Sequence, residues 1–405
     1  MIEWGEQHLA IQTAFRRFVE QEIIPKRDDL EHGDLPPYEV LRKMFATFGL
    51  REMAEMRFAK DLERAEAPEK PEGEKKEGSK MAGEMLAMQM IPTIELSRVS
   101  PGMVTALGVS VGLTAGTIMS RGTRAQKERW AKDLLTLDKI GAWAITEPGS
   151  GSDAFGSMRA SAKRDGDGYI LNGNKTFITN GPYANTTVFI CKLDEGNDPK
   201  DRKVLSFVLE RGMPGFEQSK PLRKMGMHAS PTGELFLSDV RVERDRLLGE
   251  SEERSYRTGA KDTFKAERTG VVGMALGIVE ECLRVSVDYA KTRVQFGRPI
   301  GEFQLIQLKL AKMEVARMNI QNLAFRIIEL ASAGKSMSFA EASAGKLYCA
   351  QAAMEVALEA VQLFGGNGYM AEYRVEQLAR DAKVLQIYGG TDEIQISQIA
   401  RALTG

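Results

Sequence analysis

The chain has 405 residues, of which 27% are charged, and its formal net charge is −1 at pH 7. This balance argues against nucleic acid or an anionic membrane as a partner, because both bind basic surfaces. The three cysteines are too far apart for a disulfide framework or a metal cluster, and we find no signal sequence or long uninterrupted apolar segment, so we expect a cytoplasmic protein without metal or membrane insertion.

Residues 1–139 have the pattern of a helical domain. Apolar residues recur at helical intervals from Leu9 to Ile23 and from Tyr38 to Phe48. The segment from Lys60 to Lys80 is rich in Glu, Lys, Pro, Gly and Ala, which predicts a mobile, charged surface insertion or a short solvated helix. Small residues between Ser97 and Ser120 allow either close helix packing or the passage of a long flexible ligand.

Residues 140–250 change to short alternating strands, which predict a small β-barrel or sandwich. Asp165-Gly166-Asp167-Gly168 and Asn172-Gly173 are interpreted as hairpin turns. The predicted strands are Met158–Lys163, Tyr169–Thr179, Thr187–Leu193, Val204–Leu209 and Glu234–Leu237.

Residues 251–405 are again helical. One apolar stripe runs from Val271 to Val285, a second segment from Leu305 to Ala333 and a third from Ala340 to Phe364, and a last one is interrupted by Gly389-Gly390. Four long striped helices with short connections predict a four-helix bundle. The fold class is therefore multidomain α+β, with helices, then a β domain, then a bundle.

The stretch from Trp143 to Asp153 carries the first functional signal. An apolar, strand-like run ends here in a loop that contains Pro148, Gly149 and Gly151. The same stretch carries the hydroxyl groups of Thr146, Ser150 and Ser152. Such a loop exposes backbone N–H groups at a strand end, which suits the pyrophosphate and ring edge of a flat cofactor. An ordinary turn rich in Gly and Ser is the alternative.

Five segments then occur in order along the chain, and together they resemble the acyl-CoA dehydrogenase family over nearly its whole length. They are AITEPGSGSD at 144–153, NGNKTFITN at 172–180, RVQFG at 293–297, QLFGGNGY at 362–369 and IYGGTDEI at 387–394. The resemblance implies an N-terminal helical domain, a middle β domain, a C-terminal four-helix bundle, a homotetramer built from dimers, and FAD.

The resemblance also implies which residues bind FAD. Phe177 could instead be a core residue, Arg293 a surface ion pair, and Gly365-Gly366 a helix cap, but the ordered set favours the family. The implied contacts are Trp143, Ala144, Ile145, Thr146, Phe177, Ile178 and Thr179 at the flavin ring, Gly151 and Ser152 near the pyrophosphate, Thr391 and Glu393, and, across the dimer interface, Arg293, Gln295, Phe296, Gln304, Gln362, Gly365 and Gly366.

The catalytic base is the point where this sequence departs from most of the family. Most members carry a carboxylate immediately before the Gly-Thr pair, and this chain has Gly389 there. The long-chain and isovaleryl branches place the base on the first bundle helix directly before an Arg, which Glu267-Arg268 matches. We therefore interpret Glu267 as the general base, with a helix-surface carboxylate as the alternative. The resemblance also implies that the Gly389 N–H donates to the thioester oxygen.

The implied activity is FAD-dependent α,β-dehydrogenation of an acyl-CoA to a trans-2-enoyl-CoA, as in fatty-acid β-oxidation. Ser152, Arg268 and Gly390 would contact the substrate, and an electron-transferring flavoprotein would accept the electrons. The relocated base suggests long or branched acyl groups. Two alternatives stay open at this stage, namely an acyl-CoA oxidase that uses oxygen and a catalytically silent subunit that binds FAD or acyl-CoA.

Overall fold

The computed structural model describes residues 3–32, 35–64, 72–253 and 256–405. It confirms the predicted order of helices, then a sheet, then helices. In the N-terminal part, π-helical turns at Val19–Ile23, Gly108–Ala115 and Lys127–Ala131 join successive helices. The helices are α1 (Glu6–Phe18), α2 (Arg27–His32), α3 (Tyr38–Thr47), α4 (Leu50–Arg64), α5 (Glu72–Ser97), α6 (Pro101–Leu107), α7 (Gly116–Arg121), α8 (Arg124–Gln126) and α9 (Lys132–Leu135).

The charged segment at 60–80 is helical wherever the structure describes it. Residues 60–64 end α4 and residues 72–80 begin α5, while residues 65–71 lie outside the described residues. These two stretches therefore agree with the helical alternative, and the interpretation of the segment as a mobile surface insertion stays a prediction. Ala, Glu and Lys have high helix propensity, so the lack of an apolar stripe did not prevent helix formation.

The expectation that no long apolar segment occurs needs a correction at Pro101–Arg121. This helical stretch has the length and mean hydropathy of a membrane-crossing helix. Less than half of its apolar window is buried inside the protein. Met103, Ala106 and Ile118 pack into two of the hydrophobic cores. The small residues noted in the sequence thus contribute in part to helix packing.

The middle domain has the strands β1 (Gly141–Ala144), β2 (Ser161–Asp165), β3 (Gly168–Thr179), β4 (Thr186–Leu193), β5 (Val204–Glu210), β6 (Phe216–Gln218) and β7 (Thr232–Val242). They form one seven-stranded sheet with strand order β1-β4-β2-β3-β7-β6, in which β5 pairs with β4. All eight residues of β4 are buried, because both of its faces are covered. Phe189 and Cys191 face the core inside the sheet domain, whereas Val188 and Ile190 pack with Trp130 of the N-terminal helices.

One of the two predicted hairpin turns is confirmed and the other is wrong. Asp165 pairs with Gly168 across the β2–β3 turn. Asn172-Gly173 instead lies inside β3, at a break in its register with β7. A Cβ atom on Gly173 would lie 2.6 Å from Ala160 Cβ, so this glycine permits close strand packing at a bulge and does not reverse the chain.

The C-terminal part confirms the predicted bundle. Helix α5 of the N-terminal part packs beside it, since a Cβ atom on Gly277 would lie 2.3 Å from the Ile94 carbonyl oxygen. A short hairpin of β8 (Val294–Gln295) and β9 (Arg298–Pro299) follows the first bundle helix. The helices are α10 (Tyr256–Thr292), α11 (Gln304–Ser332), α12 (Phe339–Phe364), α13 (Val375–Lys383) and α14 (Asp392–Thr404).

Candidate active site

The end of β1 lies beside the end of β3. The Thr176 N–H donates to the Thr146 carbonyl oxygen at 3.0 Å. The buried Lys175 ammonium donates to the Ile145 carbonyl oxygen and to the Glu147 carboxylate, each at 2.9 Å. The two predicted segments, 143–146 and 177–179, are therefore neighbours, and a buried ion pair that is also bonded to backbone holds them together.

The loop after β1 is a closed turn with an exposed tip. Glu147 and Ser150 exchange both backbone hydrogen bonds, at 3.0 and 3.1 Å. The Ser150 hydroxyl donates to the Asp153 carbonyl oxygen at 2.8 Å, so it faces inward. Gly151 and Ser152 are exposed, as are Pro148 and Gly149, so the tip of this loop can meet a ligand.

Phe177 is held out of the sheet. Its side chain is 69% exposed, and its backbone has a φ of 57°, in the left-handed region that a bulky residue rarely adopts. The alternative interpretation as a core residue is therefore wrong. Ala144, Ile145 and Ile178 are buried, so an exposed aromatic ring stands at a rigid strand end, as binding of a flat ligand requires.

The Glu267 carboxyl group lies against Gly389. A Cβ atom on Gly389 would be 3.2 Å from Glu267 Cδ and 3.4 Å from its Oε1. Burial raises the pKa of Glu267 to about 7, and the positive charges of Arg268 and Lys346 oppose that rise. The interpretation as a solvated helix-surface carboxylate is wrong, because the carboxyl group is desolvated and lies against Gly389. A desolvated carboxyl group is also a stronger base than an exposed one.

Arg268 is buried beside the same loop. Its guanidinium donates to the Ser343 hydroxyl at 2.9 Å and lies 4.0 Å from the centre of the Phe339 ring. Its Nη2 would lie 3.6 Å from a Cβ atom on Gly390. The charge next to Glu267 is thus anchored on α12 inside the protein.

Two buried polar side chains that the sequence analysis did not identify hold the Gly389–Gly390 loop. The Lys346 ammonium donates to the Gly390 carbonyl oxygen at 2.8 Å. The Gln395 side-chain amide donates to the carbonyl oxygens of Gly389 and Gly390, at 3.1 and 2.8 Å. Thr391 caps α14 by accepting from the Ile394 N–H, and Glu393 is exposed. Lys346 is the one lysine in the sequence of α12, among many small residues, and this was the signal that could have identified it.

Helix α6 connects the strand ends to this loop. Asn180, which follows Thr179, donates to the Ala106 carbonyl oxygen at 2.9 Å. Val104 of the same helix packs against the hydrophobic core of the bundle, as does Tyr388 next to the Gly389–Gly390 loop. The two groups of predicted residues therefore flank one helix in a single chain.

A third group of predicted residues lies elsewhere. Tyr289, near the end of α10, stacks on Phe364 at the end of α12 with ring centroids 4.1 Å apart. This end of the bundle is about 33 Å from Glu267 along α10, at 1.5 Å per helical residue. One chain therefore does not place this group beside Glu267. The exposed residues here are Arg293, Gln295, Phe296, Gln304, Gln362, Gly365 and Gly366.

Three known domains match successive parts of this architecture. They are described as the acyl-CoA dehydrogenase N-terminal domain, at residues 5–138, the middle domain, at 142–240, and the C-terminal domain, at 258–404. The chain belongs to the acyl-CoA dehydrogenase family. The predicted activity, flavin-dependent dehydrogenation of an acyl-CoA, is thereby confirmed at the level of the reaction.

Relatives and solved structures agree with this assignment. A short-chain specific acyl-CoA dehydrogenase of Megasphaera elsdenii is 40% identical over 309 residues, which cover 76% of this chain and 79% of the relative. The structure of butyryl-CoA dehydrogenase from the same organism matches with a TM-score of 0.84 and 32% identity over the whole of both chains. A chain in a structure titled for the electron transferring flavoprotein of Acidaminococcus fermentans matches with a TM-score of 0.81 and 32% identity, over 100% of this chain and 99% of that one.

Proposed function

We propose that Glu267 is the general base of this acyl-CoA dehydrogenase. The observation that carries this assignment is the 3.2 Å separation between its carboxyl carbon and the Cβ position of Gly389. The carboxylate that most family members carry in the loop is thus supplied from α10 to the same point in space. Desolvation makes it a base suited to an acidified carbon, because the pKa of Glu267 is raised to about 7.

The other chemical role belongs to the loop backbone. When the Glu267 carboxylate takes the α proton, negative charge develops on the thioester oxygen. A backbone N–H at Gly389 stabilises that charge whatever the side chain, so moving the base leaves the donor in place. We assign the adjacent Gly390 to the substrate-binding surface, and we assign Arg268 to support of the base, since its guanidinium is anchored on Ser343 and Phe339.

The cofactor is FAD, which when bound accepts the β hydrogen as a hydride at its N5 atom. The exposed ring of Phe177 and the exposed Gly151 and Ser152, in the loop that follows β1, suit a flat ring carrying a pyrophosphate. In this proposal Thr391 and Glu393 contact the same FAD. The remaining strand contacts are those of Trp143, Ala144, Ile145, Thr146, Ile178 and Thr179, with backbone groups serving where the side chain is buried.

A second subunit completes the site. Seven predicted contact residues at the far end of the bundle lie too far from Glu267 to reach the same cofactor in one chain, so we assign them to the FAD of a neighbouring subunit. They are Arg293, Gln295, Phe296, Gln304, Gln362, Gly365 and Gly366. Phe296 is 93% exposed and Leu305 is 75% exposed at this end of the bundle. An exposed apolar surface of this kind suits an interface between subunits. We propose that the protein is a homotetramer built as a dimer of dimers.

The acyl group and the electron acceptor complete the proposal. The resemblance in base position suggests long or branched chains, whereas the similar Megasphaera elsdenii proteins are named for short-chain and butyryl substrates. We propose an electron-transferring flavoprotein as the acceptor, which the match to the Acidaminococcus fermentans structure supports. We place the enzyme in the cytoplasm.

The test is an anaerobic titration of the purified flavoprotein with acyl-CoAs from butyryl to long and branched chains. Bleaching of the flavin absorbance by some of them, and its loss in Glu267→Gln, is the expected result. If the variant is reduced at the full rate, Glu267 is not the base. Binding without bleaching across the panel would instead identify a silent subunit, and peroxide formed in proportion to turnover in air would identify an oxidase.

A further inference from the structure

One face of α12 holds both sides of the proposed site. Phe339, Ser343 and Lys346 are spaced by four and three residues, which places them in line along one side of a helix. The first two hold the guanidinium of Arg268, next to the base. The third holds the Gly390 carbonyl oxygen. A single rigid element therefore fixes the position of the base relative to the loop.

Lys346 is an unusual residue for the middle of a packed helix. Its side chain is fully buried, and a buried ammonium is costly unless strong contacts offset its desolvation. Its shortest contact is the 2.8 Å bond to the Gly390 carbonyl oxygen. The Asp392 carboxylate is farther away, at 3.8 Å, and its other oxygen accepts from Gln351 and Gln386. The nearest partner of the Lys346 ammonium is therefore the loop carbonyl, and the Asp392 carboxylate supplies its counter-charge.

The loop needs such a tether because of its own backbone. Gly389 and Gly390 have φ angles of 62° and 89°, and glycine exchanges readily between this region and others. Gln395 donates to the same Gly390 carbonyl oxygen at 2.8 Å. Two buried donors thus converge on one acceptor, and this selects one backbone conformation from the several that a Gly-Gly pair can adopt.

We propose that Lys346 is a positioning residue for the dehydrogenation. By fixing the Gly390 carbonyl oxygen, it holds the Gly389 N–H in the direction of the substrate thioester oxygen, beside the Glu267 carboxylate. The proposal rests on the proposed function, because it assumes that Glu267 and the Gly389 N–H act on one acyl thioester. Lys346 does not itself contact the reacting atoms.

The experiment compares Lys346→Met, which keeps the length of the side chain, with Lys346→Arg, which keeps a charged donor. The control is Lys335→Met, which changes an exposed lysine in the loop after α11. We expect Lys346→Met to fold, bind FAD and bind acyl-CoA with a Kd within about threefold of the control. Its rate constant for flavin reduction should fall about 10- to 100-fold, because a misdirected oxyanion donor stabilises the developing charge less. Lys346→Arg should regain part of that loss.

A second readout is independent of catalysis. Hydrogen exchange of the amides at 389–394, measured without substrate, should be faster in Lys346→Met than in the control. If Lys346→Met does not fold, Gln395→Met removes the other donor from the same carbonyl and is expected to give the same two effects.

Three results would overturn the proposal. They are flavin reduction at the control rate, unchanged exchange of the loop amides, or losses of FAD content, substrate affinity and rate in equal proportion. A wild-type flavin that no acyl-CoA reduces would instead remove the proposed function, and the exchange measurement would still decide whether Lys346 tethers the loop.

Discussion

The Glu267 carboxyl carbon lies 3.2 Å from the position that a Cβ atom on Gly389 would occupy. Gly389 also has a φ of 62°, a conformation that costs an L-residue about 1–2 kcal/mol. A side chain at position 389 therefore competes with Glu267 for one space. The two positions are alternatives for the carboxylate, and they cannot both be filled without displacement.

This competition predicts the result of exchanging the two residues. Gly389→Glu alone should lower the free energy of unfolding and the rate of flavin reduction, because its side chain displaces the existing carboxylate. Glu267→Gly alone should lower the rate about 10²- to 10⁴-fold, as loss of a general base does. The double variant should be both more stable than Gly389→Glu and faster than either single variant. Denaturant unfolding and rapid-mixing reduction measure the two quantities.

Gly112→Ala is the matched control for the glycine substitution. Gly112 is helical, and no atom lies within 4 Å of its Cβ position, so alanine should be neutral or slightly stabilising there. A double variant no faster than Glu267→Gly would show that a carboxylate at 389 cannot reach the α proton in this chain.

The pH dependence of the reaction follows from the raised pKa of Glu267, about 7. In the proposed mechanism Glu267 acts as the carboxylate, so kcat/KM should rise about tenfold per pH unit below pH 7 and level off above it. Glu280→Gln is the control, since this residue lies on the same helix outside the site and burial raises its pKa to about 6. The control should keep the wild-type pH profile. A wild-type profile that is flat between pH 5.5 and 8 would contradict the role of Glu267.

The raised pKa of Glu267 also predicts that the free energy of unfolding is lower above neutral pH than in acid. The folded state binds the carboxyl proton more tightly than the unfolded state, whose pKa is about 4.5. Stability from this group is therefore present at low pH and is lost as pH rises through 7, by at most about 3 kcal/mol. Glu267→Gln should match the wild type at pH 5 and unfold at a higher denaturant concentration at pH 8. Equal midpoints at both pH values would show that the carboxyl group is well solvated.

Apolar periodicity predicted much of the fold. The β4 and β5 strands and the three long bundle helices are confirmed, because each has a sustained apolar pattern. Asn172-Gly173 was misinterpreted because sequence alone does not separate a glycine that turns the chain from one that admits Ala160 at close range. Lys346 was missed for another reason, since its acceptor, Gly390, is 44 residues away and only the packing of α12 against the loop unites them.

His228, in the middle domain, joins that domain to the N-terminal helices. Its ring contacts the Glu31 carboxylate at 3.2 Å, and this contact raises the pKa of His228 to about 9. The stabilisation is complete below the unfolded pKa near 6.5 and is lost as pH rises through 9. His228→Gln should lower stability by about 1–3 kcal/mol at pH 6 and by less at pH 10. His32→Gln, at an exposed neighbour, is the control, and an equal loss at both pH values would exclude the ion pair as the cause.

The proposed two-subunit site is testable by complementation, because Glu267 and the far end of the bundle lie far apart in one chain. Arg293→Glu should prevent FAD binding and Glu267→Gln should prevent proton abstraction, so each protein alone should be inactive. In a mixed dimer, one site combines an intact Glu267 from one chain with an intact Arg293 from the other. Under random pairing, roughly a quarter of the sites are of this kind, so coexpression should restore a comparable fraction of the activity. Glu267→Gln coexpressed with Glu267→Ala should restore none, and failure of the first pair despite proven mixing would place Arg293 and Glu267 in the same one-chain site or remove Arg293 from FAD binding.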